Sequence, residues 1–128
     1  MKKIKVSEAT GPVLDWMVAK CEGWDSYDIH SNGAFELERT DTSECLWLRC
    51  FTPSEDWFQG GPILSKLGAE NGLQLTTHVT STAAACGWRA SCDFPNGFYF
   101  GETALIAAMR CYVASRLGNE VEVPEELA

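Results

Sequence analysis

TALIAAMRCYVASRLGN, residues 103–119, carries the strongest structural signal in the chain. Thr103 suits a helix N-cap, Gly118 stands where a C′ glycine belongs, and Arg116 falls in the last turn, where a cation opposes the helix dipole. Leu105, Ala108, Met109 and Tyr112 form one stripe, which Ile106, Val113 and Leu117 broaden. The small side chains of Ala107, Ala108 and Ala114 predict a helix lying close on a sheet.

The segments before it read as paired strands. LQLTTHVT (73–80) and CGWRASCDF (86–94) alternate with period two, and PNG at 95–97 breaks the chain after them. AFELER (34–39) puts Phe35 and Leu37 on one side and Glu36 and Glu38 on the other. CLWLRCF (45–51) is apolar on both faces, the pattern of a central, doubly covered strand. Nearer the N-terminus, GPVLDWMVAKCE (11–22) reads as a helix capped by Thr10, with Pro12 in its first turn and Gly23 ending it. Leu14, Met17, Val18 and Cys21 face its core side. The order helix, hairpin, short helix, hairpin, helix predicts an α+β fold: an antiparallel sheet of about four strands with the two end helices packed on it.

At 128 residues, 45% hydrophobic and 22% charged, the chain is expected to be one globular domain, residues 1–128. Its formal charge is −8, and the final ten residues, NEVEVPEELA, hold four glutamates and no base. Residues 119–128 thus read as an acidic extended tail, and the remainder carries 10 basic against 14 acidic groups. That balance argues against direct nucleic-acid binding. MKKIKVSEAT lacks the apolar run of a signal peptide, and no stretch is long enough for a membrane span. A cytoplasmic setting with free thiols is the expectation.

TPSEDWFQGGPILSK (52–66) invites comparison with a phosphate cradle. Gly60-Gly61 has neither the Lys-Ser/Thr of a P-loop nor the spacing of a dinucleotide fingerprint. It reads more simply as two helical turns, one capped by Ser54 or Asp56, the next opened by Pro62. Asp56, Trp57, Phe58 and Gln59 are left over as a candidate partner-binding anchor if the aromatic pair faces outward, although the residues alone favour a pair buried in the core. Gln74, Thr76, His78 and Arg89 form a second candidate, the polar face of the later hairpin.

Other chemistry finds little support. Cys45-x4-Cys50 and Cys86-x5-Cys92 lack zinc spacing, and core packing explains the thiols. Asp25, Asp28 and His30 form D-x-x-D-x-H, able in principle to hold a hard cation or move a proton, but a solvated turn explains them as well. No G-x-S-x-G or reactive-cysteine setting occurs. No catalytic residue, metal ligand set or cofactor site is assigned.

KVSEATGPVLDWMVAKCEG (5–23), TPSEDWFQGGPI (52–63) and GETALIAAMRCYVASRLGNEVEVPEEL (101–127) together resemble the small NinX-like proteins of lambdoid phages and prophages, a family with no established activity. Relatives have Pro after the capping Thr, where this chain has Ala104. The order of elements is also similar to a phage module described as an α/β/α sandwich, but the polar strand faces favour helices mainly on one side. The resemblance implies an accessory protein of an infected or lysogenic bacterial host. A non-enzymatic module binding a host or phage protein is the first expectation, with a second copy of the chain as a further candidate partner. An acidic mimic of nucleic acid and a small metal-dependent enzyme at Asp25, Asp28 and His30 are the alternatives.

Overall fold

The first helix begins where Pro12 places it. α1 spans Gly11–Cys21, and Gly23, at φ +93°, ends it as the C′ residue. Thr10 occupies the N-cap position in extended backbone, though its hydroxyl makes no capping bond. The computed structural model describes residues 1–79, 86–93 and 97–128.

Eight strands accompany three helices among the described residues, in three separate antiparallel sheets rather than one. β1 (Lys2–Lys5) pairs with β8 (Glu120–Val123) and brings the two ends of the chain together. β2 (Ser26–Ile29), β3 (Phe35–Arg39) and β4 (Glu44–Trp47) form the second sheet in that order. β5 (Gln74–Val79), β6 (Cys86–Cys92) and β7 (Gly97–Gly101) form the third. The α+β class stands as read, while the strands are shared out among small sheets. Phe94 and residues 95–96 of the PNG break lie outside the described residues.

The last helix, α3 (Ala104–Leu117), is the centre of the molecule. Thr103 Oγ1 accepts the N–H of Ile106 at 3.1 Å, and Gly118 closes the other end at φ +89°, so Ala104 leaves the helix start intact. The expected one-sided stripe is too narrow a description. Ala107, Ala108, Met109, Tyr112 and Val113 are all fully buried, because small side chains let neighbours approach from several directions. β6 and β7 lie on one side, α1 and α2 (Trp57–Asn71) on others, and β8 beside them. Arg110 then ties α3 to the strands, donating to the carbonyls of Ala9 and Phe100.

Two segments differ from their sequence reading. CLWLRCF is not a central strand: β4 ends at Trp47 on the edge of its sheet, and Leu48–Cys50 is a 3-10 turn. Trp47 is half-buried on that edge, with the His30 ring at 4.8 Å and the Arg49 guanidinium at 5.4 Å from its ring. TPSEDWFQGGPILSK does not split into two turns either. α2 runs unbroken through Pro62, one turn in from its start. There the missing N–H deprives only the carbonyl of Phe58, in an exposed first turn that water reaches.

The 119–128 segment is extended only over β8; residues 125–127 turn back, with the N–H groups of Leu127 and Ala128 donating to the Pro124 carbonyl. Val121, Val123 and Pro124 are buried beneath it, while its glutamates point outward.

Candidate functional site

The start of α2 is built by a dense set of local bonds. Asp56 is the N-cap: Oδ1 accepts the N–H of Phe58 at 3.0 Å. Gln59, at the third helical position, holds the preceding loop. Its Oε1 accepts the N–H of Thr52 at 3.0 Å, and its Nε2 donates to the carbonyl of Cys50 and to Asp56 Oδ2, each at 3.1 Å. This is a capping box whose second arm reaches past the cap to residue 52. From further away, Asp15 on α1 accepts the Ser54 N–H at 2.9 Å.

Gly60 completes the seat. A β-carbon there would lie 2.5 Å from the Pro53 carbonyl oxygen and 2.7 Å from Leu105, so only glycine lets α2 approach the loop and α3 this closely. With Asp56, Gln59 and Gly60 turned inward, Trp57 and Phe58 are left on the surface, 57% and 89% exposed. The four-residue anchor therefore divides: Asp56 and Gln59 are the frame, and the aromatic pair is what the frame presents.

The second candidate surface lies on the third sheet. Register aligns Gln74, Ser91 and Phe98 in one row and Thr76, Arg89 and Phe100 in the next, all on the face turned away from α3. The His78 backbone pairs with Gly87 in the row after that, and its side chain lies outside the described residues. Phe98 and Phe100 make this surface less polar than the strand pattern implied, at 59% and 46% exposed. The Arg89 guanidinium lies 4.8 Å from the Phe98 ring centre. Sequence reading missed both aromatics because β7 is short and opens on Gly97.

Asp25, Asp28 and His30 do not come together. Asp25 is occupied by Thr40, accepting its N–H at 3.1 Å and its hydroxyl at 2.6 Å, and these bonds hold its carboxyl below the usual range. His30 turns instead to Glu36, at 3.7 Å, and to the Trp47 ring. Among the described residues, no group of three or more His, Cys, Asp or Glu is placed to hold a metal ion.

One polar cluster had no signal in the sequence, because its members come from three helices. Glu22, at the end of α1, accepts from Lys66 Nζ at 3.0 Å and from Tyr112 Oη at 2.6 Å. Burial, and the bond to a carboxylate, push the Tyr112 phenol up to about 12. A tyrosine so held is a donor, not a proton acceptor or nucleophile, and the cluster fastens helices rather than performing chemistry.

The residues that frame Trp57 and Phe58 fall within a recognised family pattern. A family model described as Bacteriophage P22, NinX matches residues 5–116. The chain belongs to this phage family. The match takes in α1, α2, α3 as far as Arg116 and the strands β2 to β7, and so both surfaces described above. No curated protein matches the chain. Among the described residues, no helix is long and apolar enough to cross a membrane.

Proposed function

We propose that this NinX-family chain is a phage accessory protein that acts by binding another protein, with Trp57 and Phe58 as its anchor. One observation carries the reading: two adjacent large aromatics stand exposed on a helix start held by Asp56, Gln59 and Gly60. Tryptophan is among the residues that dominate binding hot spots, and a rigid seat lowers the ordering cost of burying it. The site of action is the cytoplasm of an infected or lysogenic bacterium, and the partner a host or phage protein.

The acidic-mimic alternative draws less support. Glu22 is engaged by Lys66 and Tyr112, Glu70 by Arg116, Asp25 by Thr40, and Asp56 by its helix, while Asp15 is buried. These five carboxylates, buried or spent on local bonds, are withdrawn from any phosphate-like array.

In-cell cross-linking followed by quantitative mass spectrometry tests the proposal. A saturable partner is expected whose recovery falls at least about tenfold with Trp57→Ala/Phe58→Ala, yet persists with Phe98→Ala. If no partner responds to the aromatic pair, the reading fails. Sedimentation of the same variants tests a second copy as the partner.

A further inference from the structure

We propose that Cys92 and Cys111 are a redox pair that a peroxide closes into a disulfide, fastening α3 to β6. The two sulfurs face each other at 2.7 Å although the residues are 19 positions apart. Cys92 is the last residue of β6, and Cys111 lies in the middle of α3. Both are buried, 4% and 1% exposed. A disulfide has its sulfurs about 2.05 Å apart, so closure asks for only about 0.6 Å of approach.

The surroundings set when this happens. Tyr99 of β7 is close enough to both thiols for them to raise its phenol, after burial itself, and so forms part of their cover. Burial, and then the neighbouring Cys92, push the Cys111 thiol far above its ordinary range, which keeps thiolate scarce. Cys45 and Cys50 are exposed on other elements, so a peroxide meets them first. The internal pair reacts only under sustained oxidation. It is a protected dithiol, not a reactive surface cysteine.

One thiolate attacks the peroxide, giving a sulfenic acid and one water. The second thiol displaces hydroxide from that sulfur, giving the S–S bond and a second water. Two S–H bonds are lost and one S–S bond forms, and the two electrons end on the peroxide oxygens. The closed loop contains β7 and the start of α3, so the cross-link restricts the unfolded chain and raises the melting temperature.

The test uses the full chain in its Cys45→Ser/Cys50→Ser form, treated with excess hydrogen peroxide, alkylated in denaturant and digested with trypsin. Cleavage after Arg89, Arg110 and Arg116 separates the two cysteines, so the expected product is peptide 90–110 joined to peptide 111–116. A rise in Tm that dithiothreitol reverses is expected alongside it. Recovery of Cys92 and Cys111 as alkylated thiols or as unlinked oxyacids overturns the proposal. So does a bond from either to another cysteine, or a linked product whose Tm has not risen.

Discussion

Ser54 donates its backbone N–H to Asp15 Oδ1 at 2.9 Å, so a carboxylate on α1 that is only 2% exposed holds the turn from which α2 starts. Burial pushes the Asp15 carboxyl up to about 6, against the opposing pull of Ser54. The folded chain thus binds this proton more tightly than the unfolded chain, whose Asp titrates near 3.8. The resulting stability is fully present below pH 3.8 and is lost as pH rises through about 6. Asp15→Asn keeps an acceptor for Ser54 without the buried charge. It should gain up to about 3 kcal/mol at pH 7.5 and show little difference from the wild type at pH 4. Asp15→Ala should instead lose about 1–3 kcal/mol at pH 4, by orphaning the Ser54 N–H, and recover most of that loss at pH 7.5, where it too lacks the buried charge. Urea unfolding at the two pH values measures all three chains.

Adjacent glycines in α2 should respond in opposite directions. A β-carbon at Gly60 collides with the Pro53 carbonyl and Leu105, whereas one at Gly61 meets nothing within 4 Å. Gly60→Ala is expected to cost about 1–3 kcal/mol and to loosen the seat of Trp57. Gly61→Ala is expected to gain about 0.5–1 kcal/mol, the ordinary helix preference. Thermal unfolding of the two single variants, with Trp fluorescence as a second probe, separates them.

How much of this was readable from the sequence follows from how local each cause is. α1 and α3 were, because Pro12, Thr103, Gly23 and Gly118 are punctuation placed within a few residues of what they punctuate. The inward faces of β3 and β6 were too, since Leu37 and Ala90 obey a period of two. Division into three sheets was not, because pairing β1 with β8 joins residues more than a hundred positions apart. At the candidate site, the residue types at 56–59 pointed to the place, but not to which would be frame and which surface. That depended on the Thr52 and Asp15 contacts and on the close approach at Gly60, all of which are tertiary.

Glu22 should be the most costly member of the three-helix cluster. Its Oε2 serves Lys66 and Tyr112 together, and its backbone carbonyl takes Arg39 Nη2 at 2.8 Å. Glu22→Ala strands the buried Tyr112 hydroxyl and frees Lys66, and about 2 kcal/mol is the expected loss. Tyr112→Phe removes one donor but leaves the Lys66 pair, for about 1 kcal/mol. Lys66 is exposed and should matter least. Chemical denaturation of the three single variants is expected to rank them in that order. A Lys66→Ala loss as large as that of Glu22→Ala would contradict it.

The C-terminal strand gives a prediction that separates charge from structure. Lys3 lies opposite Glu122 and Lys5 opposite Glu120, while Val121 and Val123 between them are buried against the core with Pro124. If the acidic ending acted only through charge, its removal and its neutralisation would have the same effect. The burial says otherwise. Replacing Glu120, Glu122, Glu125 and Glu126 with Gln takes the net charge from −8 to −4 and should keep a folded chain. Each lost cross-strand pair is expected to cost only about 0.2–1 kcal/mol. Ending the chain at Asn119 instead uncovers apolar surface along β1 and α3, and each buried valine contributes about 1.5–3 kcal/mol. The truncated chain should therefore melt many degrees lower, or not fold at all. Circular dichroism melts of the two variants, beside a Val121→Ala/Val123→Ala chain of full length and charge, decide the matter, because that third chain should follow the truncation.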